Sequence, residues 1–443
     1  MKKQHADLLI LNGIVLTMDK RHRVIESGGI AIINSKIAEL GEVGAIKEKY
    51  SSEIVIDAEG KLVMPGLINA HTHAPMSIFR GFADDLPLDR WLYDHIFPLE
   101  AEFINSETVA TGTRLAIAEM IRSGTTTFND MYYYSCKMAE IVDKTGIRAF
   151  LSGALLDNPQ HNGNTAEEVL EYTEELVVKW KEHPRVNIGV AVHAPYSASP
   201  WLYRAGKDLA DKYGCQFHTH LSETSWEVDI IYNKYGLRPV EHLEKTGVLG
   251  KNMVAAHGIH LNENEIRLLA KNDVGIAHNP QCNMKLANGT APVTELLNKG
   301  IRVGLGTDGA ASNNDLDLFD EMRSAALAHK LATGNPAVMD ARSVLECATS
   351  GGARLLGIDD KTGSLEAGKQ ADIIIVDLGK PHAWPLYNLY SLIVYSLKAS
   401  DVESVIVDGR LLMENQRLLT IDEKSLYREV KELSTRITKA HPH

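Results

Sequence analysis

The sequence predicts an α/β protein: a (β/α)8 TIM-like barrel with a small β-sandwich domain formed from both chain termini. Three observations carry that expectation. From about residue 60 to 310 the chain repeats one pattern, a short apolar run rich in β-branched residues, a polar residue at its end, then a longer amphipathic stretch. Eight such runs occur, the number that closes a barrel whose active site lies at the carboxyl ends of the strands. The two ends of the chain carry short strand-like runs separated by turns, and neither set is large enough to hold a core alone.

The elements follow in order. At the N-terminus, Ala6 to Leu11, Ile14 to Met18, Gly29 to Ile33, Lys36 to Leu40 and Ile54 to Asp57 read as strands. The barrel strands are expected at Val63 to Ala70, Thr125 to Asn129, Arg148 to Leu156, Val186 to Val192, Gln216 to His220, Met253 to His257, Val274 to His278 and Arg302 to Thr307. Between them, Ser106 to Ser123, Ala166 to Lys181, Pro200 to Tyr213 and Ala291 to Lys299 place apolar residues at helical spacing with charges opposite. Asp372 to Val376, Val402 to Val407 and Leu411 to Met413 return to strand patterning, and Asp422 to Lys439 reads as a charged surface helix. Residues 1–60 and 366–443 are therefore expected to form the small domain and terminal helix, and 61–365 the barrel. The rival, an open doubly wound sheet, often carries a glycine-rich nucleotide loop. No GxGxxG or P-loop pattern is present.

Bulk properties narrow the function classes. The chain has 443 residues, 44% of them hydrophobic, ample for a large core. With 46 basic and 58 acidic residues the net charge is −12, which repels phosphate backbones and anionic membranes. A small-molecule substrate is expected, with neither nucleic acid nor membrane as partner. Cys136, Cys215, Cys282 and Cys347 are scattered without CxxC spacing, which argues for a reducing compartment and against a thiolate metal site. Leu8 to Leu11 follow Met1-Lys2-Lys3, but Asp7, Asn12 and Gly13 interrupt any signal-like run. A cytoplasmic location is the expectation.

The polar residues at the strand ends carry the chemistry. His71 and His73 close the first strand, His193 follows the fourth, His220 closes the fifth, His257 the sixth, His278 the seventh, and Asp308 follows the eighth. Strand residues two apart project to one face, so His71 and His73 point together with Thr72 turned away. Three imidazoles and one carboxylate suit zinc with a position left for water. The expected ligands are His71, His73, His220 and Asp308; His220 is preferred over His218 because it lies nearer the strand end. A lone strand histidine is more often packed than ligating, yet four donors, each at a strand end, would be costly to bury unpaired. For Glu223, three residues beyond His220, two readings stay open: a loop surface charge, or a carboxylate over metal-bound water.

At this point the residues carry a resemblance. Met64-Pro65-Gly66-Leu67-Ile68-Asn69-Ala70-His71-Thr72-His73 and Gly306-Thr307-Asp308-Gly309 resemble motifs of the amidohydrolase superfamily. The similarity includes Gly363-Ser364-Leu365-Glu366-Ala367-Gly368-Lys369-Gln370-Ala371-Asp372, where the chain re-enters the small domain. Within the superfamily, His193-Ala194-Pro195-Tyr196, His220-Leu221-Ser222-Glu223, His278-Asn279-Pro280 through Asn283-Met284-Lys285-Leu286, and Asp308 to Asn314 are similar to the methylthioadenosine/S-adenosylhomocysteine deaminase group. Taken singly, these motifs are shared with triazine hydrolases and guanine deaminases.

The resemblance implies hydrolytic deamination of the adenine ring of a small nucleoside. No lysine stands in the Val186 to Val192 strand to bridge two metals, so it implies one zinc ion per subunit, with iron as the other candidate, and a homo-oligomer. Glu223 would deliver a proton to ring N1, while Asp308 and His257 would hold the attacking water and take its proton. His193 would hydrogen-bond the purine, Glu100 would accept both ribose hydroxyls, and Ser312 is a weaker candidate for a base contact. Trp91 and Tyr132 to Tyr134 are candidates for pocket walls, and His278 is expected to shape the pocket. His260 has an equal structural reading, and Asp84, Asp85 and Asp89 are read as solvated charges on a loop that could form a lid.

One departure bears on the substrate. Relatives that accept S-adenosylhomocysteine hold its carboxylate with arginines after the third strand, but Leu151 to Asn164 contains none, nor does any position between Arg148 and Arg185. A preference for uncharged 5′ substituents, in methylthioadenosine, 5′-deoxyadenosine or adenosine, is therefore expected. The alternative is hydrolysis of another heterocycle such as guanine or an aminotriazine, for which a ribose-binding Glu100 has no use. A non-catalytic barrel with a closed structural metal is the reading from a different class.

Overall fold

The computed structural model describes residues 3–159 and 161–441, so Gln160 of the loop after the third strand lies outside the described residues. Eight parallel strands form the barrel: β1 (Leu67–Thr72), β2 (Thr125–Tyr132), β3 (Arg148–Leu155), β4 (Val186–Val192), β5 (Phe217–Leu221), β6 (Met253–His257), β7 (Gly275–His278) and β8 (Val303–Leu305). They pair consecutively, for example Leu151 with Ile188 and His220 with Ala256. Closure occurs where the backbone N–H groups of Thr307 and Asp308 donate to the His71 carbonyl, at 3.1 and 3.0 Å. Gly306 permits that approach, because a Cβ there would sit 2.8 Å from the His71 backbone nitrogen. The closing contact thus places a β1 histidine beside the β8 aspartate.

Helices start where side chains satisfy the first free N–H groups. Asn105, Thr165, Ser199 and Thr224 accept backbone N–H bonds at the heads of Ser106–Arg122, Ala166–Trp180, Pro200–Tyr213 and Ser225–Tyr235. Ile68, Phe150 and Val254, each near the start of its strand, share one buried cluster with Leu355 and Leu356. Apolar packing at that end leaves the opposite strand ends free to carry polar chemistry.

The two termini meet in one continuous nine-stranded sheet. Its C-terminal strands, Arg417–Leu418, Arg410–Glu414, Val402–Val407 and Ile373–Asp377, join the N-terminal strands through Lys61–Pro65. On the other side of that junction lie Leu8–Leu16, Val24–Ile33 and Lys36–Glu42, with Val55–Asp57 paired to Leu8–Leu16. Ile10, Ile32, Val63, Leu365, Ile373 and Ile406 share one core, so residues from both ends bury one another.

Here the observed strands differ from expectation. The run expected as one strand, Val63 to Ala70, is two, Lys61–Pro65 in the small sheet and Leu67–Thr72 in the barrel. Gly66 N–H donates to Asp372 of the small sheet, and the next residue, Leu67, donates to Gly124 at the barrel edge. The run is apolar on both sides of the crossing, so its periodicity carries no sign of the change of sheet. Arg148 is also accounted for. It is buried, its guanidinium bonds both Asp372 carboxylate oxygens at 2.9 and 3.1 Å, and it joins barrel to sheet rather than facing the strand ends.

The final helix, Glu423–Ala440, is more than a charged surface element. It buries Leu426, Leu433 and Ile437 and packs on Ser106–Arg122, where Arg122 pairs with Glu423 at 2.8 Å. Among the described residues no helix is long and apolar enough to cross a membrane.

Candidate active site

Four side chains from three regions of the barrel mouth converge. One donor atom from each of His71, His73, His220 and Asp308 lies within 4.8 Å of all the others. Asp308 Oδ1 is 3.2 Å from His71 Nε2 and 3.1 Å from His73 Nε2, and His73 Nε2 is 3.2 Å from His220 Nε2. The far nitrogens are held from behind. His73 Nδ1–H donates to the Met131 carbonyl at 2.6 Å and His220 Nδ1–H to the His193 carbonyl at 2.7 Å, which leaves Nε2 of each as a lone-pair donor. His71 Nδ1 is 3.1 Å from His218 Nε2, so His218 supports a ligand rather than competing with it.

The donor set fits a divalent transition ion. His71 Nε2 and Asp308 Oδ1 are buried and, among the described residues, have no well-formed hydrogen-bond partner, although they face one another at 3.2 Å. Such orphaned groups are costly unless something else satisfies them. Burial pushes His71 down to about 4 and His220 well below the ordinary histidine range, keeping their nitrogens unprotonated. Burial also opposes charge on Asp308 and on His73. The close approach of the charges outweighs it: His71 and His73 hold Asp308 well below the usual carboxylate range, and Asp308 holds His73 up at about 9. An ion held at this point would take the place of the His73 proton that faces Asp308. Zinc is matched by three nitrogens and one oxygen.

The backbone is shaped for this site. Asp308 and His257 adopt left-handed conformations, φ 60° and 72°, that side-chain-bearing residues seldom occupy. Both lie at strand ends, where the chain must turn at once while aiming a side chain inward. His257 Nδ1 is 2.9 Å from Asn283 Oδ1, so the N–H sits there and Nε2 is left to accept. That Nε2 is 3.8 Å from Glu223 Oε2. Glu223 is 5% exposed, burial raises its pKa, and Asn288 Nδ2 donates to its Oε1 at 3.0 Å. The loop-surface reading of Glu223 is thereby removed. Buried Glu227 holds that turn, accepting the N–H groups of Ser222 and Glu223 at 2.9 Å each.

A cleft with an empty volume of about 620 Å³, partly open to solvent, runs from this cluster. Trp91, Glu100, Tyr133, His193, Glu223 and Ser312 all line it. Glu100 lies in the first turn of Phe97–Phe103, on the segment after β1, and is only 3% exposed. Its Oε1 accepts the Tyr132 hydroxyl at 2.6 Å, while Oε2 has no hydrogen-bond partner among the described residues. Burial raises its pKa to about 7. His193 Nδ1 is 2.8 Å from Ser197 Oγ, and burial pushes this ring down to about 3, so it meets a ligand neutral.

Other residues fall elsewhere. Ser312 lines the cleft, but its hydroxyl donates to Asp308 Oδ2 at 2.9 Å. His278 stands apart, 3.0 Å from His329. His260 Nε2–H donates to the Asn288 carbonyl at 2.8 Å, a structural tie beneath the partner of Glu223. Asp84 is not merely solvated: it pairs with Lys285 at 2.5 Å and thereby tethers the loop after β1. Sequence reasoning missed Cys282, whose Sγ is 2.8 Å from Asp308 Oδ2, and it missed Asn288 and Glu227. Cys282 stood within the quoted stretch after His278, but only the folded chain brings it behind Asp308.

The sequence pattern of the amidohydrolase family matches residues 62–412. The chain belongs to the amidohydrolase family. This amidohydrolase is 46% identical to the 5-methylthioadenosine/S-adenosylhomocysteine deaminase of Syntrophobacter fumaroxidans, over 99% of its own length and 100% of the relative's. It is 44% identical to the 5'-deoxyadenosine deaminase of Methanosarcina acetivorans, over 96% and 97% of the two chains. Its fold superposes on an adenosine deaminase from Xanthomonas campestris crystallised with bound zinc, with a TM-score of 0.97 and 36% identity over 99% of this chain and 100% of that one. The barrel expected from the strand repeat is the fold of this family, and the enzyme is a hydrolase.

Proposed function

We propose that this amidohydrolase deaminates the adenine ring of a small nucleoside with an uncharged 5′ substituent, using one zinc ion per subunit held by His71, His73, His220 and Asp308. The observation that carries the reading is the pairing of two buried carboxyls in one cleft, Glu223 near the metal-ligand cluster and Glu100 among Trp91 and Tyr133. A heterocycle without a sugar gives Glu100 nothing to bind. Zinc, when bound, supplies a water of lowered pKa, near 7, at neutral pH. The rest is done by side chains. Glu223, kept protonated more readily by burial, delivers a proton to ring N1, which makes C6 electrophilic. His257 Nε2, freed to accept by Asn283, takes the proton of the attacking water with Asp308. That proton passes to the exocyclic amine, which leaves as ammonia, while the C6 hydroxyl returns a proton to Glu223 and an inosine-type product remains. His193 bonds the purine edge, and Ser312 orients Asp308 as well as bordering the base.

Among the described residues that line the cleft there is no lysine or arginine. A substrate carboxylate would lose its charge-assisted partner, at a cost of several kcal/mol if desolvated. Assay of ammonia release is therefore expected to give kcat/KM for methylthioadenosine at least about tenfold above that for S-adenosylhomocysteine. Equal values would refute the neutral-substituent assignment, and turnover of guanine or an aminotriazine alone would refute the nucleoside assignment.

A second prediction concerns Glu100. Its carboxylate accepts from both ribose hydroxyls fully only when ionised, and burial raises its pKa to about 7 against the opposing Tyr132 hydrogen bond and His73 charge. KM for adenosine should thus rise as pH falls through about 7, because the protonated form loses an acceptor. In Glu100→Ala, or with 2′,3′-dideoxyadenosine, that pH dependence should disappear and kcat/KM should drop about 10- to 100-fold. An unchanged KM profile in Glu100→Ala would remove Glu100 from the binding site.

A further inference from the structure

Asp308 has two carboxylate oxygens in different surroundings. Oδ1 is buried, unpartnered, and close to His71 and His73. Oδ2 is met from behind by two neutral donors, Cys282 Sγ–H at 2.8 Å and Ser312 Oγ–H at 2.9 Å. Cys282 is fully buried, and its sulfur is outside the converging donor group of His71, His73, His220 and Asp308. It lies on the short helix Pro280–Lys285, whose next residue, Asn283, holds His257 Nδ1 at 2.9 Å.

We propose that Cys282 is a positioning residue: with Ser312 it clamps Asp308 Oδ2, so that only Oδ1 is presented to the metal and the carboxylate cannot swing to a two-oxygen mode. The inference rests on the metal reading of the four ligands. The clamp follows from the donor chemistry. A thiol buried beside a carboxylate remains protonated and can only donate to it, and a donor on the rear oxygen fixes the plane of the ligand. Because Asn283 on the same helical turn orients His257, one element sets the spacing between the two groups assigned to the water's proton. The left-handed backbone at Asp308, φ 60°, gives a further reason for a clamp, since a residue in that conformation needs its surroundings to hold it.

The test compares holoenzyme retention of zinc. Zinc-loaded wild type, Cys282→Val, Cys282→Ser and Ser312→Ala would be challenged with graded chelator, and bound zinc measured alongside the melting temperature. Valine fills the space of the thiol without donating, whereas serine restores a donor. The expected result is about tenfold weaker zinc retention in Cys282→Val and in Ser312→Ala, with recovery toward wild type in Cys282→Ser. Equal retention by wild type and Cys282→Val, or failure of Cys282→Ser to exceed Cys282→Val, would overturn the clamp while leaving the ligand set intact. Wild type that holds no stoichiometric zinc would overturn the ligand set itself, and the clamp with it. If Cys282→Val melts too low to load, the Ser312→Ala comparison decides, because its side chain is small and its loss opens little space.

Discussion

Glu223→Gln is expected to lower kcat on adenosine about 10²- to 10⁴-fold while bound zinc stays stoichiometric. The reason is local. Glutamine keeps the shape of the side chain and an oxygen for the Asn288 amide, which donates at 3.0 Å in the native protein. It cannot carry a proton to the ring. Since Glu223 is outside the converging donor group of His71, His73, His220 and Asp308, the metal should be unaffected. Kinetics and metal content measured on the same preparation check this, and a variant with near-native kcat would remove Glu223 from the chemistry. A loss of zinc together with activity would instead make Glu223 a support of the metal site.

Asp308→Ala should abolish activity by a different route, through the metal. Removing the carboxylate leaves His71 Nε2 and His73 Nε2, each within about 3 Å of its Oδ1 in the native protein, without the anion that gathers positive charge there. Stoichiometric zinc should be lost, and kcat/KM should fall by at least about 10³-fold. Asp308→Asn separates the roles of this residue. Its amide oxygen can still meet an ion weakly, yet it cannot accept the proton of the attacking water, so partial zinc retention with activity as low as that of the alanine variant is expected. If Asp308→Asn regains substantial turnover when zinc is added in excess, the proton-accepting role belongs to His257 alone.

These two residues, one found by its distance from His220 and one by its strand, show what could be read in advance. His71 and His73 were legible because strand alternation forces residues two apart to one face. Asp308 was legible because a polar residue at the end of an apolar strand has few structural uses. Glu223 was visible only as a choice between a surface charge and a catalytic carboxyl, and burial beneath Asn288 and His257 removes the surface charge. The junction at Gly66 was misread because its apolar run is continuous across two sheets. Asp84 looked solvated because its partner, Lys285, is two hundred residues away in the chain.

By itself the sequence determined the repeat of strand and helix, the acidic balance, and which residue types stand at the strand ends. Those properties depend on local pattern, which is written in consecutive residues. Only the tertiary structure decided which of those residues meet. Cys282 and Ser312 come behind Asp308, Tyr132 reaches Glu100, and the ends of the chain share one sheet because barrel closure and burial bring together groups far apart in sequence. Hydrogen bonding and desolvation act over a few ångströms of space, and no spacing along the chain encodes them.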